Sequence, residues 1–178
     1  MQDTHSLSDV RTLREKARQN LERGAITDGY GADLEAVLRL LDEALATELV
    51  CVLRYKRHHF VAKGLRAEVA AAEFLEHAAQ EQEHADRIAA RIVQLGGEPD
   101  FAPERLASRS HSEYTQGKSL RSMLEDNLVA ERIAIESYGE MIRFIGQGDP
   151  TTRRLLESIL ATEEEHADDL ASLLHDAR

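Results

Sequence analysis

The chain has 178 residues, enough for one sizeable core and too few for two ordinary domains. Aromatic residues make up 4% and proline occurs 3 times, so the composition is that of long helices rather than strands. With 33 acidic against 22 basic residues the formal charge is −11, which favours cations and makes nucleic acid a poor partner.

Cys51 is the only cysteine, so neither an intramolecular disulfide nor a thiolate metal cluster can form. The N-terminal region carries no apolar run of signal-peptide type, and no stretch reaches the length of a membrane span. The expected compartment is the cytoplasm.

Glycines and prolines divide the chain into a leader, 1–31, and a bundle, 32–178. The leader holds a short amphipathic stretch over 8–23. Its basic residues Arg11, Arg14, Lys16, Arg18 and Arg23 are balanced by acids, so it reads as a subunit-contact helix rather than a DNA-binding arm. The first long helix is expected over 33–63, stopped by Gly64, and the second over 66–95, stopped by Gly96 and Gly97. A proline-containing crossover over 96–118 follows, then a third helix over 119–145. Asp149 as N-cap and Pro150 at the first helical position start the fourth. The expected fold is an all-α four-helix bundle with one long crossover between its second and third helices.

The sequence repeats its polar residues. Glu48 and Tyr55 of the first helix match Glu131 and Tyr138 of the third, while Glu81-x-x-His84 of the second matches Glu163-x-x-His166 of the fourth. Such a repeat predicts a pseudo-two-fold bundle whose halves supply the same groups.

Each helix carries one apolar stripe interrupted near its middle by ionisable residues. Glu48, Glu81, His84, Glu131, Glu163 and His166 therefore point at the core. An uncompensated carboxylate in an apolar interior costs several kcal/mol or more, and no Lys or Arg sits centrally in the stripes. Two divalent cations would balance four carboxylates with both histidines neutral. Oxygen and imidazole donors without thiolate suit Fe, Mn or Zn, and ligand type alone does not choose between iron and manganese. Glu83, Glu164 and Glu165 fall off the stripes and read as a solvated face.

The ligand set, one Glu from each of two helices and Glu-x-x-His from each of the other two, resembles the ferritin-like superfamily. The runs 48–55 and 84–87 are similar to bacterioferritin. That resemblance implies iron, two ions per subunit, with Glu81 and Glu163 bridging, Glu48 and His84 completing one position and Glu131 and His166 the other. Two departures point towards a Dps-like miniferritin that keeps a bacterioferritin-type site. Gln82 stands where bacterioferritins place the haem-ligating Met, so no haem is expected, and the chain stops 12 residues after His166, short of a fifth helix. Gln80 and Thr162 replace carboxylates that precede the bridging glutamates in that family.

Other residues admit more than one role. Tyr55 and Tyr138 could hydrogen-bond a ligand, relay an electron or simply pack. His77 reads as an ordinary helical histidine, with guidance of incoming iron as the other reading. Cys51 reads as a small buried residue, and His58 and His59 as facing solvent or a neighbouring subunit.

The resemblance implies a ferroxidase that stores and detoxifies iron under oxidative stress, with O₂ or H₂O₂ accepting electrons from Fe(II). Storage needs an enclosed volume, so a hollow homo-oligomer follows, with twelve subunits favoured over twenty-four. The rival readings are an O₂-activating di-iron oxygenase of quinone-hydroxylase type, a peroxidase, and a DNA-shielding structural cage. The mean hydropathy of −0.43 counts against the apolar surface that a quinone hydroxylase needs.

Overall fold

The computed structural model of the chain describes residues 7–64 and 67–176. Among these, six α-helices and no strands occur: α1 (Val10–Lys16), α2 (Leu34–Val61), α3 (Ala67–Gln94), α4 (Pro103–Arg109), α5 (Leu120–Ile145) and α6 (Pro150–Asp176). The four long ones are the expected bundle. The expected start of the second helix at Arg66 and the extreme N-terminus of the leader lie outside the described residues.

Side-chain caps set where the long helices begin. Asp33 accepts from the Ala36 backbone N–H at 3.1 Å to open α2, and Ser119 and Ser122 form a reciprocal capping box at the start of α5. Asp149 accepts from the Thr152 N–H at 2.9 Å to open α6. The same carboxylate receives Arg91 of α3 at 2.9 Å and the Tyr30 hydroxyl at 2.9 Å. One residue thus ties the end of the leader, α3 and α6 together. The turn before it is tight: a Cβ on Gly148 would lie 2.9 Å from the backbone of Gly31 and Ala32, so only glycine fits.

α2 packs along α3 and α5 along α6, and the two pairs close through α2 on α5 and α3 on α6. Burial of the apolar stripes makes two separate cores. One holds Val37, Leu41, Leu45, Ile88, Ile92, Ile145, Leu156 and Ile159; the other holds Tyr55, Phe74, Ala78, Met123, Leu124 and Leu170. A fully buried Leu or Ile contributes roughly 2 to 3 kcal/mol, so these two apolar layers hold the helices in register. The ionisable residues of the stripes lie between them.

The crossover is more ordered than expected. Pro103 starts the two-turn α4, whose Leu106 packs on Ala46 and Val50 of α2. Arg109 donates to the carboxylate of Asp42 and to the Asp100 carbonyl, and the His111 N–H donates to Thr47 Oγ1 at 3.0 Å. The crossover is therefore laid along α2. The leader departs from expectation in the other direction. α1 spans only seven residues and buries none of them, and Asn20, in the left-handed region at φ 50° and bonded to Asp28, separates it from a 3-10 turn at Leu21–Arg23. Val10, Leu13 and Leu21 stay exposed, so no packing adds to the local preferences that would carry a helix across 8–23.

Candidate metal centre

Mid-helix positions of α2, α3, α5 and α6 bring all six expected ligands into one buried layer, and none is more than 3% exposed. They form two overlapping groups, Glu48, Glu81, His84 and Glu163, and Glu81, Glu131, Glu163 and His166. Within each group one donor atom per residue lies within 4.8 Å of the others. His84 Nδ1 sits 2.9 Å from Glu163, 3.2 Å from Glu81 and 3.4 Å from Glu48. His166 Nδ1 sits 3.5 Å from Glu81, and 3.7 Å from both Glu131 and Glu163. Glu81 and Glu163 belong to both groups because each helix places its Glu and His three residues apart on one face.

The surrounding hydrogen bonds are crossed. Tyr55 of α2 donates to Glu131 of α5, and Tyr138 of α5 donates to Glu48 of α2. Of the roles open to these tyrosines, each takes hydrogen bonding to a candidate ligand on the opposite helix. Gln80 Oε1 lies 2.6 Å from His166 Nε2, so that ring nitrogen donates to it. This turns Nδ1 inwards and sets the ring's orientation. Thr162, the repeat partner of Gln80, instead donates to the Ser158 carbonyl of its own helix at 3.4 Å.

Without a cation, protons carry the charge balance. Burial, with Glu81 and Glu163 adding repulsion, pushes the carboxyls of Glu48 and Glu131 well above the usual range. Burial disfavours charge on the histidines too, but hydrogen bonds to the surrounding glutamates lift both to about 12. Burial also opposes charge on Glu81, yet hydrogen bonds from His166 and His84 more than offset it and hold that carboxyl below its usual range. Yet Glu81 Oε1, Glu131 Oε2, Glu163 Oε1 and His166 Nδ1 are buried with only long or poorly aligned contacts to one another and to His84. Orphaned buried donor atoms that converge on one layer fit divalent cations, which would displace the protons. The donor chemistry, four carboxylates and two imidazoles, suits iron, manganese or zinc.

Several neighbours were not legible in the sequence. Arg54 is fully buried, with Nε 2.9 Å from Asn127 Oδ1 and one guanidinium nitrogen 2.9 Å from both Ser112 Oγ and the Glu113 carbonyl. It also donates to Cys51 Sγ at 3.3 Å, so Cys51 is buried as expected, with a polar partner. The available signal was Asn127, a polar residue one turn before Glu131 on the α5 stripe. His58 faces neither solvent nor a neighbour: it is buried, and its Nδ1 accepts from Asn127 Nδ2 at 3.0 Å. His59 is half-buried, its Nδ1 2.7 Å from the Ala71 carbonyl. His77 is buried against the centre, its ring stacked on His166 at 3.9 Å between centroids. Glu83, Glu164 and Glu165 are exposed, as the stripe pattern requires.

The chain is similar to known proteins in sequence and in fold. The family model described as a ferritin-like domain matches residues 38–178. The bacterioferritin of Desulfovibrio desulfuricans is 29% identical over 131 residues, 73% of this chain and 69% of that protein. The DNA protection during starvation protein of Pyrococcus furiosus is 34% identical over 149 residues, 79% of this chain and 78% of that one. Among solved structures, the bacterioferritin-related protein of Bacteroides fragilis, described as a dodecameric thioferritin, superposes with a TM-score of 0.80 at 33% identity, covering 83% of this chain and 89% of that one. With a family match running from the second turn of α2 through residue 178, and relatives of this similarity over most of both chains, the chain belongs to the ferritin-like family.

Proposed function

We propose that the chain is a ferroxidase and iron-storage protein that takes Fe(II) as substrate, two ions per subunit, at Glu48, Glu81, His84, Glu131, Glu163 and His166. The observation that carries this reading is the pair of overlapping four-residue groups sharing Glu81 and Glu163. Two ions held side by side can each give up one electron to a common acceptor, O₂ or H₂O₂, and leave as Fe(III). The residues supply charge balance and geometry. Glu81 and Glu163 would span both ions, Glu48 with His84 and Glu131 with His166 would complete one position each, and Tyr138 and Tyr55 would hold the terminal glutamates in orientation.

No haem is part of this reading. Gln82 Nε2 donates to Asp86 of its own helix at 2.9 Å, and an amide is a poor axial ligand beside the thioether that haem iron accepts. No helix among the described residues is long and apolar enough to cross a membrane, and a cytoplasmic cage is the setting proposed. A single bundle encloses no storage volume, so a closed shell of twelve subunits is proposed, with the leader and the crossover available for subunit contacts. The net charge of −11 disfavours DNA as the shell's partner.

Aerobic addition of Fe(II), with oxidant consumption and particle mass followed together, tests the proposal. Expected are catalysed oxidation and a mass of about twelve chains that retains iron. Oxidation no faster than in buffer would overturn it, and a monomer or dimer at micromolar concentration would remove storage in favour of a di-iron oxygenase.

A further inference from the structure

Next to the six-residue centre, α3 and α6 bring together Glu73, His77 and Asp169, with one donor atom of each within 4.8 Å of the others. His77 is 1% exposed, and its Nε2 lies 3.3 Å from Glu73 Oε1 and 3.8 Å from Asp169 Oδ2. That nitrogen is buried without a hydrogen-bond partner.

Hydrogen-bond direction says what the nitrogen offers. The one hydroxyl proton of Tyr55 goes to Glu131, so towards His77 Nδ1, 3.2 Å away, the tyrosine oxygen can only accept. Nδ1 therefore carries a ring proton, and Nε2 is the ring nitrogen turned to the two carboxylates. One imidazole nitrogen and two carboxylates then face one another, a donor set that a cation completes.

The repeat sharpens the point. Shifted from α3 to α6 by the 82 residues that relate Glu81 to Glu163, Glu73 and His77 fall on Leu155 and Ile159. Shifted back from α6 to α3, Asp169 falls on Arg87. Four carboxylates and two imidazoles obey the pseudo-symmetry, whereas this trio exists on one side alone, opposite two apolar residues and a cation. The trio is also graded: the side chain of Asp169 is 55% exposed and that of Glu73 28%, while His77 lies in the interior, stacked on His166.

We propose that Glu73, His77 and Asp169 form a third divalent-cation site, through which Fe(II) passes from solvent to the position held by Glu131 and His166. The cation site stands on its own geometry; its loading role rests on the ferroxidase reading above. Asp169 and Glu73 capture the hydrated ion, and His77 takes it across the protein surface, one ring away from His166. The imidazole donates a lone pair throughout, and no electron or proton is exchanged.

Zn(II) titration calorimetry on the assembled full-length protein tests the site. The double variant Glu73→Gln/Asp169→Asn keeps size and shape at partly exposed positions and should fold normally. Expected are three tight Zn(II) ions per chain in the parent, two in the double variant, and Fe(II) oxidation at limiting Fe(II) slowed on the order of tenfold through the lost local field. Equal stoichiometry in the parent and the double variant would overturn the site, because Glu73, His77 and Asp169 would then hold no ion of their own. Loss of one ion with an unchanged rate at limiting Fe(II) would overturn the loading role. Glu163→Ala reports on the central pair independently: if it left all three ions bound, the ferroxidase assignment would fall while the third site stood.

Discussion

Tyr138 donates its hydroxyl hydrogen to Glu48 across the bundle, and the repeat gives Tyr55 the same relation to Glu131. Each bond joins α2 to α5 and fixes the rotamer of a buried carboxylate. Replacing Tyr138 by Phe keeps the ring in its core and removes only the orienting bond. The variant is expected to fold and to bind the full complement of Zn(II), with affinity at the Glu48 side reduced about tenfold or more. Calorimetric titration against the parent checks this, and unchanged affinity would reduce the tyrosine to a packing residue.

Cation removal should loosen the centre. A ligand bound only to the folded chain stabilises it by about 2.7 kcal/mol at a hundredfold excess over its Kd. In a domain of this size that amounts to roughly 5 to 10 °C in Tm per independent site. Scanning calorimetry of chelator-stripped protein, with and without Zn(II), should show that rise in the parent and lose most of it in Glu163→Ala.

Asp149 caps α6 and pairs with Arg91. Asp149→Ala removes a cap worth about 1 kcal/mol and leaves a mostly buried guanidinium without its acceptor, about 1 to 3 kcal/mol more. Burial alone would raise the Asp149 carboxyl, but its bonds from Thr152, Tyr30 and Arg91 hold it below the usual range. Its stabilisation is therefore complete above the unfolded-state value, near pH 4, and is lost as the pH falls through the lower folded-state value. Thermal melts of parent and variant should differ clearly at pH 7 and converge in acid.

Arg54 is a buried cation whose hydrogen bonds go to Asn127, Ser112, the Glu113 carbonyl and Cys51 rather than to a carboxylate. Arg54→Met fills similar space but strands those acceptors, and is expected to cost about 3 to 5 kcal/mol. Asn127→Leu alone leaves the buried Arg54 Nε without its acceptor. The double variant should therefore be less destabilised than the sum of the single ones, and a double-mutant cycle in denaturant measures the coupling.

The long helices and the six central residues were legible because both repeat. Stripes of three- and four-residue steps last about six turns in α2, and the Glu-x-x-His pairs recur at matched offsets. The start of α6 was legible from Asp149 and Pro150, whose preferences are local. α4 was not, because a seven-residue helix burying only Leu106 is too short for a period to show. The crossed tyrosine bonds depend on the register of α2 against α5, which no single stripe contains. The burial of Arg54 and His58 follows from a crossover laid along α2, a tertiary event without a local signal. The break at Asn20 takes a left-handed residue bonded to Asp28, a conformation that asparagine tolerates but does not announce.

The proposed centre places two ions between Glu81 and Glu163 inside one subunit. Anomalous diffraction at the iron edge, from crystals loaded with Fe(II) without oxygen, tests it most directly. Expected are one peak among Glu48, Glu81, His84 and Glu163 and a second among Glu81, Glu131, Glu163 and His166, both absent in Glu163→Ala. Iron bound only at the surface or between subunits, with no peak in the central layer of the parent, would contradict it.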